Sequence, residues 1–589
     1  MCHIRLDIPS SCSTDEVFLV LKNEHTGEEI KTQMLFEKAE NMYDIFSASF
    51  SLDNAGLYFY KFFIVTVESS FELFKEGISD TNIGVGDMWQ LSCYAKDFTV
   101  PDAFLGKVMY QIFPDRFCIE SECDTSSKLT PFYIHENKND IPDFRPNEAG
   151  KVLNCDFYGG NLKGIESKLT YIKNLGVSVI YLNPIFKAYS NHRYDTCDYK
   201  TIDPLLGDEK DFISLCDTAH SLGIKIILDG VFSHTGSNSI YFDKELIFGN
   251  GAVSNENSPY RQWYNFTDYP HRYDAWWGIE TLPAVNEMSD GFLDYIIRDE
   301  DSVIAHWLRL GADGFRLDVA DELPDEFIYL LRKRVKEIKK ESYVVGEVWE
   351  DASNKISYSK RRKYFVGAEL DSVMNYVFKN AIIDFVCGNL TAEKFANEVM
   401  TIAENYPPMC LNSLMNSLST HDTARIITSL SGANIPHTKE EQATYRLSHE
   451  EYQNAYSRLF TAAFLQYTLP GMPCIYYGDE IGMQGFGDPF CRAFFDWENI
   501  DEKLLHFFKE LGKIKNSYIS LRKGDISFEL NGEAVIYKRK YKSEVFTAIV
   551  NMSDDVYAVE CKNLLISHLA GKTGDMLYLQ KGGFAGFIN

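Results

Sequence analysis

One apolar run of this chain ends in Asp229 and is followed by His234; a second reads Gly314-Phe315-Arg316-Leu317-Asp318; a third ends in Gly346-Glu347 and a fourth in His421-Asp422. A lone acidic residue at the end of a run is ordinarily a cap or a surface charge. Four of them, two with Arg or His alongside, point to an active site. An ionised carboxylate can attack carbon, and a protonated carboxylic acid nearby can give its proton to the oxygen that leaves. In acetal cleavage with retention the two groups lie about 5–5.5 Å apart. Side chains alternate along a strand, so Gly314, Arg316 and Asp318 share one face, and Phe315, Leu317 and Val319 the other. The apolar face is expected against outer helices. The polar face puts Arg316 beside Asp318, where a guanidinium keeps a carboxylate ionised. Glu347 is flanked by Val345, Val348 and Trp349, and apolar surroundings raise a carboxyl pKa and suit an acid. Neighbouring strands run about 4.8 Å apart, so Asp318 and Glu347 on adjacent strand ends fit the retaining distance.

Eight strand-like runs occupy the middle of the chain: 108–114, 177–184, 224–231, 311–319, 343–348, 370–376, 416–422 and 471–480. Helix-length stretches such as 162–175 and 209–222 follow most of them. Eight β-then-α units predict an α/β fold, a (β/α)8 TIM barrel, whose active site lies at the C-terminal strand ends. The acidic run ends converge there. Residues 1–103 alternate short apolar runs with turn residues, as at 17–21 and 57–65, and read as an N-terminal β-sandwich. Residues 515–589 repeat that texture and read as a C-terminal antiparallel β-sandwich. The barrel is assigned to 104–514, with a loop domain inserted after its third strand.

Composition excludes several partners. The chain has 589 residues and a formal net charge of −27, which repels nucleic acid and anionic membrane surfaces but not a neutral substrate. The uncharged stretch 459–478 is long enough to span a bilayer, but it contains Gln466, Pro470 and Pro473, and it reads as helix, turn and buried strand. The opening Met1-Cys2-His3-Ile4-Arg5 has no basic stretch followed by an apolar run, so no secretory signal is expected. The 13 cysteines are odd in number and form no CxxC pair; Cys118 and Cys123 are the nearest two. Free thiols, no structural zinc and a cytoplasmic location are expected.

The motifs now become recognisable. Asp229-Gly-Val-Phe-Ser-His234, Gly314-Phe-Arg-Leu-Asp318, Gly346-Glu347-Val-Trp and Ser419-Thr-His-Asp422 resemble, in order and spacing, the four motifs of the α-amylase family of glycoside hydrolases, family 13. Tyr110-Gln-Ile-Phe-Pro-Asp-Arg116, Ser190-Asn-His-Arg-Tyr194, the segment from Trp276-Trp-Gly to Asn286, and Asp488-Pro-Phe-Cys-Arg492 are similar to stretches of its neopullulanase, cyclomaltodextrinase and maltogenic amylase branch. The resemblance covers nearly the whole chain and is strongest from 108 to 500.

It implies Asp318 as nucleophile, Glu347 as general acid and then base, and Asp422 as a group that binds sugar hydroxyls and helps distort the ring. It implies that Arg316 holds Asp318 ionised, that His192, His234 and His421 bind hydroxyls of the sugar at the cleavage point, that Tyr194 stacks on its face, and that Asp488 and Arg492 close that end of the groove. Trp276, Trp277 and Trp349 are further candidates for stacking on sugar. The implied substrate is an α-glucan oligosaccharide: a maltooligosaccharide, a cyclodextrin, pullulan or starch, cut at α-1,4 bonds alone or at both α-1,4 and α-1,6 bonds. Transfer to a second sugar is the alternative outcome. A non-catalytic relative would have lost one of Asp318, Glu347 or Asp422, and all three are present.

No cofactor is required by this chemistry and no metal ligand is assigned. Ser233 stands where many family members have a calcium-binding asparagine, and serine is a poorer calcium ligand. The loop 117–125, with Glu120, Glu122 and Asp124, reads either as a calcium loop of the branch or as a solvated acidic loop. Asp321 departs from the Ala-Asn-Glu of the branch and leaves the leaving-group side open. The N-terminal domain resembles the branch's starch-binding-like sandwich, which serves homodimer contacts in relatives or binds starch.

Overall fold

Eight parallel strands form at the predicted runs, β7 beginning one residue before its run: β1 (Val108–Ile112), β2 (Val177–Leu182), β3 (Lys225–Gly230), β4 (Gly314–Leu317), β5 (Tyr343–Gly346), β6 (Ser372–Val373), β7 (Met415–Ser417) and β8 (Met472–Tyr476). They hydrogen-bond in the order β6-β5-β4-β3-β2-β1-β8-β7, and a parallel bridge from Met374 to Met415 joins the two ends into a ring. The structure is a computed structural model describing residues 2–588 except Ser79, Cys123 and Ala368. Every residue of β1, β4, β5 and β8 is buried. Burial on both faces is why parallel strands read as unbroken apolar runs.

The outer layer follows the periodicity with one departure. The stretch 209–222 is a helix over Glu209–Ser221, started by Asp208, which accepts from the Lys210 and Asp211 amides in a capping box. The stretch 162–175 is two helices, Leu162–Ser167 and Leu169–Asn174, because Lys168 between them leaves helical geometry at ψ 3°. No Gly or Pro marks that break. Leu162, Ile165, Leu169 and Ile172 nevertheless share one buried side. The uncharged stretch forms the end of helix His449–Thr468, a turn, and β8. Among the described residues no helix is long and apolar enough to cross a membrane.

Before the barrel, a three-stranded and a six-stranded antiparallel sheet enclose a core of Ile8, Val17, Leu19, Phe46, Phe62 and Ile64. This sandwich docks on the barrel through polar contacts: Gln90 Nε2 to Ser353 Oγ at 2.8 Å, Ser92 Oγ to the Asn405 carbonyl at 2.6 Å, and Arg361 to Glu24 at 3.1 Å. After the barrel, six strands between Asp525 and Ile588 form one antiparallel sheet. The buried Arg539 ties it to the barrel by donating to the Thr468 carbonyl at 2.9 Å. Two long excursions interrupt the barrel: 231–302 between β3 and β4, and 117–161 between β1 and β2. Both reach the mouth at the C-terminal strand ends.

Candidate active site

The pairing of β4 with β5 places the two principal carboxylates. Leu317 is in register with Gly346, so the next residues, Asp318 and Glu347, leave the barrel side by side. The strands meet closely at Gly314, whose φ is +151° and where a Cβ would stand 1.9 Å from the Tyr343 carbonyl oxygen. Only glycine allows that approach. The backbone ladder continues one step past each strand: Asp318 N–H donates to the Gly230 carbonyl at 3.1 Å, and Glu347 N–H to the Leu317 carbonyl at 3.0 Å.

Arg316 lies beside Asp318, as alternation along the strand requires. Its Nη1 donates to Asp318 Oδ1 at 2.7 Å and to Asp229 Oδ1 at 2.8 Å. Its Nη2 is 2.7 Å from Glu347 Oε2 but makes no in-line hydrogen bond. One guanidinium therefore serves three carboxylates. This changes the expected electrostatics. Burial pushes the Asp318 carboxyl well above the usual range, and although Arg316 opposes this, the charges of Glu347 and Asp229 add to the rise. A dedicated Arg–Asp pair would have kept Asp318 low; a shared cation does not. Val319 also departs from expectation. The chain has left the strand by then, Val319 sits at φ +41°, and it lines the cleft rather than the helix layer. Its N–H donates to Glu347 Oε2 at 3.0 Å.

A cleft of about 700 Å³ opens over these groups and is lined by every site residue inferred from sequence except Asp229 and Arg316, which are buried. One wall is a connected network. Tyr194 OH donates to Asp229 Oδ2 at 2.9 Å and is 2.5 Å from His421 Nε2, and the two rings stack at 5.4 Å. Asp422 bonds Arg492 Nη2 at 3.2 Å, Arg492 Nη1 is 2.6 Å from Asp488, and Arg492 Nε donates to the His421 carbonyl at 2.8 Å. His192 Nδ1 lies 3.1 Å from the Tyr194 N–H and 3.0 Å from Ser190 Oγ, and its Nε2 lies 3.4 Å from Asn154 Nδ2. Trp276, Trp277 and Trp349 also line the cleft. The Trp349 ring stacks on Tyr376 at 4.0 Å, and its Nε1 donates to Glu347 Oε1 at 3.3 Å.

Several participants have no sequence signal. Tyr181 donates to Asp229 at 2.6 Å, and Gln111 Nε2 lies 3.0 Å from His421 Nδ1, which sets that ring's tautomer. Both are inward side chains of β2 and β1; Gln111 lies within the 110–116 motif without a role assigned to it, and Tyr181 is indistinguishable in sequence from a packing residue. Lys151, Val152, Leu153 and Asn154 reach the cleft from the 117–161 excursion, and only folding brings them there. Asp321 turns away from the cleft, bonding Tyr364 OH at 2.7 Å and lying 3.3 Å from Lys355.

The Ser233 hydroxyl is taken by His234 Nδ1 at 3.0 Å. Among the described residues no three His, Cys, Asp or Glu side chains gather as a metal site. Asp124 of the acidic loop accepts the Ser126 N–H at 2.9 Å, and Cys123 lies outside the described residues. A calcium ion at the Ser233 position does not fit these partners.

The cleft histidines are uncharged. Burial lowers His192 and His234, the latter to about 3, and burial with Arg492 and Arg316 nearby takes His421 well below its usual value. His234 Nε2 is buried with no hydrogen-bond partner. A stability test follows. Above pH 6.5 this ring is neutral whether folded or unfolded. Between 6.5 and about 3 the unfolded chain binds a proton that the folded ring refuses, so stability is lost as pH falls. The contribution is about 1.4 kcal/mol per pH unit. His234→Gln is expected to lose Tm less steeply than the parent between pH 6.5 and 4.5; parallel profiles would refute the assignment. Carboxyls raised by burial, such as Asp479 at about 7, work in the opposite sense, losing stability as pH rises.

Comparison with known proteins agrees with this geometry. The family model described as the alpha-amylase catalytic domain matches residues 111–517. An amylopullulanase of Thermoanaerobacter thermohydrosulfuricus is 38% identical over 523 residues, covering 79% of this chain and 34% of the relative. Neopullulanase 2 of Thermoactinomyces vulgaris is 35% identical over 458 residues, covering 75% of this chain and 68% of the relative. The type III pullulan hydrolase of Thermococcus kodakarensis has the same fold, with a TM-score of 0.68 at 23% identity, over 100% of this chain and 97% of that one. This chain spans between 25% and 41% of the length of three amylopullulanases it matches.

Proposed function

This chain belongs to the α-amylase family, and from that premise we propose that it is a retaining hydrolase of α-glucosidic bonds in maltooligosaccharides, cyclodextrins, pullulan or starch. The α-1,4 bond is the primary linkage and α-1,6 the second to be tested. The observation that carries this reading is the position of Asp318 and Glu347 on adjacent strand ends, beside one guanidinium. Arg316 makes in-line hydrogen bonds to Asp229 and Asp318 but not to Glu347.

In the first step an Asp318 oxygen bonds to the anomeric carbon while the glycosidic C–O bond breaks, and the Glu347 proton passes to the leaving oxygen. In the second, water loses a proton to Glu347 and attacks the same carbon, releasing Asp318. Asp422, His192, His234 and His421 bind sugar hydroxyls, the neutral rings acting as hydrogen-bond partners rather than charges. Tyr194 presents its ring to the sugar, and Arg492 with Asp488 closes that end. The names of the relatives, which include amylopullulanase and neopullulanase, support the substrate class. The test is digestion of pullulan, cyclodextrin, soluble starch and maltotriose with products sized. Panose from pullulan, maltotriose from pullulan, or cleavage of α-1,4 substrates alone identifies the linkage cut; inertness on all four substrates refutes the reading.

We divide the chain into a sandwich over 1–103, the barrel over 104–514 with its insertion after β3, and a C-terminal β domain over 515–589. A homodimer through the N-terminal sandwich is supported by Leu35, Phe36 and Met42, which expose 57–85% of their surface there. Light scattering of the purified chain tests it. A cytoplasmic location is supported by twelve described cysteines, all unpaired.

A further inference from the structure

Asp318 and Glu347 are held in different ways. Asp318 is fixed from its own strand and the one beside it: its N–H donates to the Gly230 carbonyl at 3.1 Å, and its carboxylate accepts from Arg316 Nη1 at 2.7 Å. The Glu347 carboxyl depends on the loop that follows Asp318. The Val319 N–H donates to its Oε2 at 3.0 Å, whereas Trp349 Nε1 reaches Oε1 at 3.3 Å.

That N–H is aimed by an unfavourable backbone. Val319 is β-branched and sits at φ +41°. Such residues are outliers in the left-handed region and persist only where their surroundings over-determine them. Here the surroundings centre on one arginine. Arg362 is 7% exposed. Its Nη1 donates to the Asp321 carbonyl at 2.6 Å and its Nη2 to the Leu323 carbonyl at 2.5 Å, and the same Nη2 is 3.4 Å from the Ala320 carbonyl. Ser357 Oγ donates to the Asp321 carbonyl at 2.9 Å, and the Val319 carbonyl accepts the Glu322 N–H at 2.8 Å. The carbonyls of Val319, Ala320, Asp321 and Leu323 are thereby all occupied.

A buried arginine can serve stability alone, and Arg362 Nε does pair with Asp325 at 2.8 Å, at the start of the helix Asp325–Ile338. Pairing one carboxylate does not require the rest of the fork. A planar guanidinium spread over several carbonyls fixes the path of a backbone, which a point charge cannot do. The preceding residue has a different partner: Arg361, at the end of the hairpin formed by Ile356–Ser357 and Lys360–Arg361, donates to Glu24 of the N-terminal sandwich at 3.1 Å.

We propose that Arg362 is a positioning residue for the general acid: by holding the loop 320–323 it keeps Val319 in its left-handed conformation and the Val319 N–H on Glu347. This rests on the α-glucan hydrolase reading above. The experiment compares the full-length parent with Arg362→Ala, Arg362→Lys and, as a control from the same hairpin, Arg361→Ala. Values of kcat/KM are measured on maltotriose, whose leaving sugar needs the Glu347 proton, and on 4-nitrophenyl α-maltoside, whose leaving phenolate does not. The ratio of the first to the second is expected to fall about tenfold in Arg362→Ala, equivalent to about 1.4 kcal/mol, through kcat rather than KM. Arg362→Lys keeps a charge for Asp325 but not the fork, so it should fall between parent and alanine. Arg361→Ala should keep the parental ratio.

Hydrogen exchange read by mass spectrometry needs no turnover. In Arg362→Ala the segment 318–324 is expected to exchange faster than in the parent while the barrel strands do not; in Arg361→Ala it should exchange at the parental rate. Equal losses on the two substrates, a ratio as low in Arg361→Ala as in Arg362→Ala, or unchanged exchange of 318–324 in Arg362→Ala would each overturn the proposal. Should Arg362→Ala not fold, Arg362→Lys decides by the same ratio and the same exchange. If the parent cleaves neither substrate, the glycosidase reading fails, and the exchange still decides whether Arg362 holds the loop.

Discussion

Asp318→Asn is expected to lower kcat on maltotriose by about 10⁴-fold or more, with KM little changed. The amide has the size of the carboxylate and still offers an oxygen to Arg316, so the contact at Nη1 survives. What disappears is the anionic oxygen that bonds to the anomeric carbon, and no neighbour can replace it: Asp229 is held by Arg316, Tyr181 and Tyr194, and Asp422 by Arg492. The same change has a predictable sign in stability. The folded Asp318 carboxyl is raised by burial and by Glu347 and Asp229, against the pull of Arg316. The folded state therefore retains a proton that the unfolded chain releases once pH passes about 4, and stability is lost as pH rises from there toward the folded pKa. Asparagine removes that loss. The variant should match the parent in Tm near pH 4 and exceed it by a margin that grows toward neutral pH. Turnover near that of the parent would refute the assignment of the nucleophile; a Tm that drops at neutral pH would refute the crowded-carboxylate account of the site.

Glu347→Gln is expected to reveal its role through the leaving group. On maltotriose, whose departing sugar oxygen needs a proton, kcat should fall by about 10³-fold. On 4-nitrophenyl α-maltoside the departing phenolate needs none, so the first step should survive and product should appear as a burst. Turnover then stalls, because the same residue must take the proton from water in the second step. Azide, an anion that attacks carbon without a base, should restore steady turnover and yield a glycosyl azide. Equal losses on both substrates with no azide rescue would show that Glu347 is not the acid and base. Trp349 Nε1 and the Val319 N–H, which donate to Glu347 in the resting cleft, hold its carboxyl in place. Glutamine keeps the size and one of these two contacts, since its single amide oxygen can face only one of the donors.

The division between what was legible and what was not follows the range of the interactions. Each catalytic carboxylate closes a run of buried strand, and a parallel strand covered on both faces advertises itself as continuous apolar sequence. That is a local property. Asp318 and Glu347 could therefore be placed at strand ends, and Arg316 beside Asp318 from alternation, whereas Asp422 lies five residues past the end of β7. The break at Lys168 and the turn of Val319 out of its strand left no mark in residue type.

The amino-acid sequence by itself determined the eight-stranded barrel, the identity of the residues at its mouth and the kind of bond they can break, because strand period and motif spacing are written along the chain. Tertiary structure alone decided how the charges are shared. Asp229, Arg316, Asp318 and Glu347 come from three different strands, and only the side-by-side pairing of β3, β4 and β5 puts three carboxylates around one guanidinium. It also decided that Glu322 meets both Trp276 and Trp277, some 45 residues away in sequence. Electrostatic balance and side-chain clamping depend on distances of a few ångströms between segments remote in the chain, and the order of residues along it does not encode those distances locally.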